Sequence, residues 1–175
     1  MCELYFELPS KKRQTDALSY VKEFIESGSD INGVGGLERY EDYDEWLIYI
    51  EDLRHGRNMP ENYVRSSEYF TIRKKDDKIV GMVNIRHELN DFLIDTGFGH
   101  VGYGVRPDER RKGYATIQLR MALEKCRQLG INQVHVGCYE ENIASRRTIE
   151  KNGGRLFRET VTDDKPYLEF VIDNE

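Results

Sequence analysis

A chain of 175 residues is long enough to bury one hydrophobic core, and no Pro- or Ser-rich linker divides it, which predicts a single domain over residues 1–175. With 33% of its residues charged and a mean hydropathy of −0.71, it holds no apolar run near the ~20 residues that cross a bilayer. The net charge of −6 argues against a general nucleic-acid binder and suits an acidic surface around a local basic pocket that takes a cationic substrate.

The first residues, Met1-Cys2-Glu3-Leu4, lack the basic and apolar regions of a secretion signal. Cys2, Cys126 and Cys138 are an odd, widely spaced set that fits neither a disulfide framework nor a metal-ligand pair. A cytoplasmic, reduced protein without membrane or nucleic-acid partners is expected. No metal is expected either, because His87, His100 and His135 show no ligand spacing.

In chain order, a strand is predicted over residues 2–8 and stops at Pro9-Ser10. Leu18, Val21 and Ile25 recur at helical spacing, and Gly28 ends that helix. Residues 29–36 read as a Gly-rich loop without a nucleotide-binding pattern. Tyr40, Tyr43, Trp46, Leu47, Ile50 and Leu53 form a second helical stripe, either core or one wall of an acceptor pocket. Strands over 68–74 and 78–85 flank the turn Lys75-Asp76-Asp77, and a third strand covers 99–106. A helix over 112–129 carries Ala115, Leu119, Ala122 and Cys126 on one face and stops at Gly130. A strand over 132–139, a helix over 142–152, the turn Gly153-Gly154 and strands over 155–161 and 167–172 complete the chain. This order predicts an α/β (α+β) fold: a central mixed, mostly antiparallel sheet of about seven strands with helices on both faces.

The most informative stretch is Gly102-Tyr103-Gly104-Val105-Arg106-Pro107-Asp108-Glu109-Arg110-Arg111-Lys112-Gly113-Tyr114-Ala115. An apolar strand enters a short polar loop that opens a helix, so the first helical turn offers unpaired N–H groups and the positive end of the helix dipole. Gly113 lets a bulky anion approach the backbone, with Arg110, Arg111 and Lys112 around it. Cations at a helix start oppose its dipole unless an anion is present, so the pattern reads as a holder for a phosphorylated ligand.

Arg110-x-x-Gly113-x-Ala115 at a strand-to-helix junction, followed by a strand and then by Asn142 opening another helix, resembles the GNAT superfamily of acyl-CoA-dependent N-acyltransferases. Gly99-His100-Val101-Gly102-Tyr103, Arg106-Pro107, Asn142-Ile143-Ala144-Ser145 and Glu150-Lys151-Asn152-Gly153-Gly154 resemble, more narrowly, a bacterial subgroup of acetyltransferases within it. The resemblance implies acetyl-CoA (coenzyme A) as co-substrate, with backbone amides of Arg110, Arg111, Lys112, Gly113, Tyr114, Ala115 and Thr116 binding its diphosphate. It implies that strand 101–105 bulges and splays from strand 134–138, and that pantetheine lies in the V between these parallel strands, paired with backbone near Tyr103 and Val105. Gly102 and Gly104 fit such a bulge, a close approach, or simply weak strand positions. Asn142 would bond the pantetheine with Ser145 beside it, a role compatible with a plain N-cap.

The expected reaction is attack of a primary amine, on a small molecule or a peptide, upon the acetyl-CoA thioester in a ternary complex. An N–H at the bulge, with Val105 leading, would polarise the carbonyl. Many family members place a Tyr acid seven residues after the Asn; this chain has Ile149 there, leaving Tyr103 or Tyr139 to supply a proton. His100 is the candidate base by its near-neutral pKa, against a structural role at a strand end; His87 is weaker. Cys138 reads as apolar filling. A non-catalytic acyl-CoA-binding or regulatory module is the alternative function, with an RNA-binding domain behind it, and a monomer or homodimer is expected.

Overall fold

The computed structural model describes residues 3–175. Four strands, β1 (Leu4–Glu7), β2 (Ser66–Arg73), β3 (Lys78–Arg86) and β4 (Val101–Val105), form one antiparallel sheet in that order. The strands β5 (Gln133–Tyr139), β6 (Arg155–Thr162) and β7 (Lys165–Asp173) form a second, ordered β5-β7-β6. The α-helices are α1 (Gln14–Ser27), α2 (Tyr43–His55), α3 (Asp91–Thr96), α4 (Tyr114–Gln128) and α5 (Ile143–Lys151), and short 3-10 turns at Lys11–Arg13, Leu37–Arg39 and Pro107–Glu109 complete the described elements. The expected strand at residues 2–8 is β1, and Cys2 lies outside the described residues.

Both faces of the first sheet are covered, which is why β2 and β3 are buried along most of their length, polar residues of β2 included. On one face Phe70, Ile72, Ile79 and Met82 pack against Ala17, Tyr20, Phe24, Trp46 and Ile50 of α1 and α2. On the other, Val83, Ile85 and Val101 pack with Leu119, Ala122 and Cys126 of α4 and with Val134 and Val136 of β5. Burial of each such side chain contributes about 1.5–3 kcal/mol, so these layers fix the sheet's position. Trp46 is fully buried and its Nε1 donates to the Gly35 carbonyl at 3.0 Å, which ties loop 28–36 to α2.

The fourth and fifth strands part as expected, but not by a bulge. β4 keeps an unbroken register with β3, from Val101 opposite Ile85 to Val105 opposite Gly81. The register shifts fall instead at Thr71/Ile72 in β2 and at Leu156/Arg158 in β6. Every ladder is antiparallel; β4 and β5, the expected parallel pair, share only a bridge between Gly99 and Val136, where His100 N–H donates to the His135 carbonyl at 2.7 Å. The glycines of β4 serve a different close approach. Loop residues Asn32 and Gly33 lie across the strand: a Cβ on Gly33 would sit 2.6 Å from Tyr103 Cα, and one on Gly104 2.8 Å from the Asn32 carbonyl.

Helix α3 was not expected. Asn90 caps it by accepting from Leu93 N–H at 3.0 Å, but six residues are too few for a periodic signal. Helix α4 begins at Tyr114 rather than at residue 112, because Gly113 is its N-cap at φ +81°.

Candidate functional site

The ladder between β3 and β4 decides where the backbone of β4 points. Arg86 N–H donates to the His100 carbonyl and Arg106 N–H to the Val80 carbonyl, so even-numbered residues of β4 face β3. By the same alternation the N–H and C=O groups of Val101, Tyr103 and Val105 face the gap to β5, with which β4 forms no ladder beyond the Gly99–Val136 bridge. Arg110 Nε donates to the Val105 carbonyl at 3.3 Å, which leaves that residue's N–H toward the gap.

The mouth of this gap is the turn before α4. No side chain caps the helix start. Arg111 and Gly113 both take left-handed backbone conformations, φ +63° and +81°, and a Cβ on Gly113 would meet nothing within 4 Å. Amides of a turn like this form an anion-binding concavity. The three cations are less alike than their adjacency suggests. Arg110 lies over the Phe24 ring and donates to Ser29 Oγ at 3.1 Å. Lys112 pairs with Glu109 at 2.7 Å, so its charge is already balanced, and Arg111 forms no ion pair among the described residues. Glu109 is also held by Arg73 and Lys78; burial alone would raise its pKa, but these cations bring it down to about 2. Tyr114 turns away from the turn toward Arg73, Ala115 lies on the first turn of α4, and the Thr116 carbonyl accepts from Asn152 Nδ2, which joins α4 to α5.

Tyr103 crosses the gap. Its hydroxyl meets Ser145 Oγ at 2.8 Å, and Ser145 N–H donates to Asn142 Oδ1 at 3.0 Å, so Asn142 is an N-cap. Burial raises the Tyr103 pKa above the usual tyrosine value. Cys138 beside it is a buried free thiol pushed up by burial to about 11. Ile149 is fully buried, and a Cβ on Gly154 would sit 2.4 Å from its Cγ2, which accounts for the glycine. Tyr139 donates to Asp163 at 2.8 Å on the exposed side and is thereby removed from the gap.

The base role expected of His100 does not fit its surroundings. Its Nδ1 accepts from His135 N–H at 3.1 Å, and burial, with His135 and Arg86 nearby, lowers its pKa to about 4. A group of that pKa is a poor proton acceptor from an amine. His100 clamps the apex of the V. His87 is likewise engaged, with Ser67 Oγ at 2.8 Å.

On the other face of β4 lies a cavity of about 570 Å³ whose walls include Gly33, Tyr49, Asn84, Arg86, Phe98 and Gly102. Tyr49 and Leu53 of α2 line it while Trp46 and Ile50 face the core, so the aromatic stripe is both core and pocket wall. Three side chains at or behind this wall escaped sequence reasoning: Asn84 and Arg86 line the cavity, and Glu68 lies behind Asn84, lining a smaller pocket with Leu47 and Ile50. Glu68 is 3% exposed; its Oε2 accepts from Asn84 Nδ2 at 3.2 Å, its Oε1 has no hydrogen-bond partner among the described residues, and burial pushes its pKa well above the carboxylate range. Asn84 sits between Glu68 and Gly102 in the cross-strand register. Arg86 is partly buried on the cavity wall, with Nη1 on the Gly99 carbonyl at 3.0 Å. Only their inward alternation on β2 and β3 could have flagged them, and that signal is shared with ordinary core residues. Gly102 is the residue of β4 that lines the cavity, and the same strand edges the gap.

Among the described residues no helix is long and apolar enough to cross a membrane, and no group of three or more His, Cys, Asp or Glu is placed to hold a metal ion. A sequence model described as the acetyltransferase (GNAT) family matches residues 32–154, well over half of the chain. No curated protein sequence matches it. Similar solved structures include Mycobacterium smegmatis RimJ in complex with CoA-disulfide, at 17% identity and TM-score 0.69, over 97% of this chain and 81% of that one. Salmonella typhimurium yncA, solved with its cofactor acetyl-CoA, matches at 15% and 0.66, over 98% and 94% of the two chains. Mutant forms of the spermidine/spermine N-acetyltransferase SpeG from Vibrio cholerae match at 14% and 0.66, also over 98% and 94%. At such identities the likeness establishes the fold.

Proposed function

The chain belongs to the GNAT acetyltransferase family, with acetyl-CoA as co-substrate, and from that premise we propose that it transfers the acetyl group to a primary amine held in the 570 Å³ cavity. The observation that carries this reading is that one strand, β4, lends Gly102 to the cavity wall and edges, beyond the Gly99–Val136 bridge, a gap without a ladder to β5. The diphosphate is assigned to the amides of residues 110–116, and pantetheine to the edge of β4 at Val105 and Tyr103. A pantetheine entering at Val105 runs toward the Gly99 bridge, so its thioester lies nearer Tyr103 N–H than Val105 N–H. That N–H is assigned the polarisation of the carbonyl.

The amine nitrogen attacks the carbonyl carbon, forming the N–C bond; the C–S bond then breaks and CoA leaves as thiolate. Holding both reactants in place supplies the largest share of the acceleration, with effective molarities of ~10⁵–10⁸ M for aligned groups. For an amine of pKa ~10.4, reaching the neutral form at pH 7 costs about 4.6 kcal/mol. Glu68, buried behind Asn84, is assigned as the acceptor of the amine proton, because burial raises its carboxyl pKa well above the carboxylate range and Oε1 is uncommitted. Asn84, which lines the cavity and is held by Glu68 through Nδ2, is assigned to orient the amine through its Oδ1. Tyr103 replaces the absent Tyr of α5 from the opposite wall. With a phenol pKa above that of a thiol, it stabilises the thiolate by hydrogen bonding rather than by full proton transfer.

Incubation with labelled acetyl-CoA and a panel of amines tests the reading: labelled acetyl-amine and free CoA are expected, and failure to bind acetyl-CoA refutes it. Ile149 at the usual acid position favours one rival, a CoA-binding regulatory module. That rival predicts tight CoA binding with no thiol release against any amine.

A further inference from the structure

We propose that the acceptor carries an anionic group beside its amine, in the simplest case the carboxylate of a free amino acid, and that Arg86 receives it. This deepens the transferase reading and rests on it.

Three other arginines with sequestered side chains each hold two carboxylates. Arg13, 6% exposed, holds Glu7 and Asp77; Arg106, 2% exposed, holds Asp16 and Glu23; Arg73, 13% exposed, holds Asp76 and Glu109. Arg86 differs. It lines the cavity, its hydrogen bond goes to the Gly99 carbonyl, and no carboxylate among the described residues reaches ion-pair distance. Glu68, on the neighbouring strand, is two residues out of its row, since Ser66 stands opposite Arg86 and Asn84 opposite Glu68. Its Oε2 is occupied by Asn84. Burial pulls the Arg86 pKa below the usual arginine value, the mark of a guanidinium removed from water without full compensation.

The other charges on the cavity wall do not answer it. Glu38 and Arg39 approach each other at 3.5 Å, and Glu61 stands on the exposed rim. Removing a guanidinium from water costs several kcal/mol unless a partner is supplied, and its planar fork matches a carboxylate with two parallel bonds. Position agrees with this. Arg86 pairs with His100 along β4, two residues from Gly102, and two strand residues span roughly 7 Å. A small zwitterion bound at Arg86 thus brings its nitrogen toward Gly102 on the β4 wall of the cavity. A long polyamine has nothing to offer this guanidinium.

The test pairs L-amino acids with their carboxamides, which keep the amine and lose the negative charge. Binding to the wild-type protein saturated with CoA is followed by calorimetry, and turnover with acetyl-CoA by thiol release. At least one amino acid is expected to bind and react about tenfold or more better than its amide, the span of one charged hydrogen-bonded contact. In Arg86→Met that ratio should fall to near one while CoA affinity holds; Arg86→Lys should recover it in part. Turnover of polyamines or amides with no advantage for any acid overturns the proposal and leaves the transferase reading standing. Acid-selective binding without turnover upholds the subsite and overturns the transferase reading. The wild-type comparison does not depend on any variant folding.

Discussion

The gap beside β4 and the cavity behind it are built from different material. The gap and its mouth come from one continuous stretch, residues 101–116, and present mainly peptide groups. The cavity is assembled by side chains from loop 28–36, α2, β2, β3 and the segment around α3. Recognition by peptide groups survives almost any change of side chain that preserves backbone shape. Recognition by side chains is rewritten by single substitutions. On the proposed reading, the gap fixes the co-substrate and the cavity fixes which amine this chain accepts.

Four substitutions sharpen that contrast. The largest effect is expected from Gly33→Ala, which forces a side chain into a left-handed residue at φ +71° and against the Tyr103 backbone at 2.6 Å. Denaturant unfolding should register a loss of about 3 kcal/mol or more; a near-neutral result would mean that the loop does not lie on β4. Gly113→Val is the counterpart at the mouth. Its φ of +81° implies strain of about 1–2 kcal/mol, but its Cβ meets no protein atom. CoA affinity, read by titration, should drop roughly a hundredfold because the methyl groups enter the diphosphate's space; unchanged affinity would misplace the phosphates.

Glu68→Gln tests the acceptor half. Since the base acts deprotonated and its pKa is raised, kcat in the parent should climb as pH passes upward through that raised value. The variant should lose roughly a hundredfold in kcat together with that limb, while KM for acetyl-CoA stays put. A pH profile of unaltered shape would remove Glu68 from the chemistry. Tyr103→Phe is the mildest, deleting one hydroxyl at 2.8 Å from Ser145. A drop in kcat of about tenfold with CoA affinity intact is expected, and a change confined to affinity would reassign the tyrosine to binding.

How far the sequence could be read follows the same division. The strand-turn-helix at 101–116, and Asn142 after β5, were legible because local backbone geometry demands particular residues at short spacing. Gly102 and Gly104 announced a close approach, but not that Gly33, far earlier in the chain, makes it. His100 read as a candidate base because an isolated histidine gives no sign of its neighbours; a backbone N–H from His135 occupies it. Glu68, Asn84 and Arg86 stayed silent because inward alternation in a strand looks the same for a pocket wall as for core. Adjacency alone makes Lys112 one more charge around an anion, and its pairing with Glu109 appears only in three dimensions.

The order of strands in the first sheet also bears on how the chain is made. β2, β3 and β4 are hydrogen-bonded neighbours in the sequence in which they leave the ribosome, and β1 precedes them all. That sheet can close on α1 and α2 while β5, β6 and β7 are still untranslated, because no ladder joins the two groups. The C-terminal strands share a core with that sheet but no ladder, so the seam between the two groups of strands coincides with the gap to which the proposed reading assigns pantetheine.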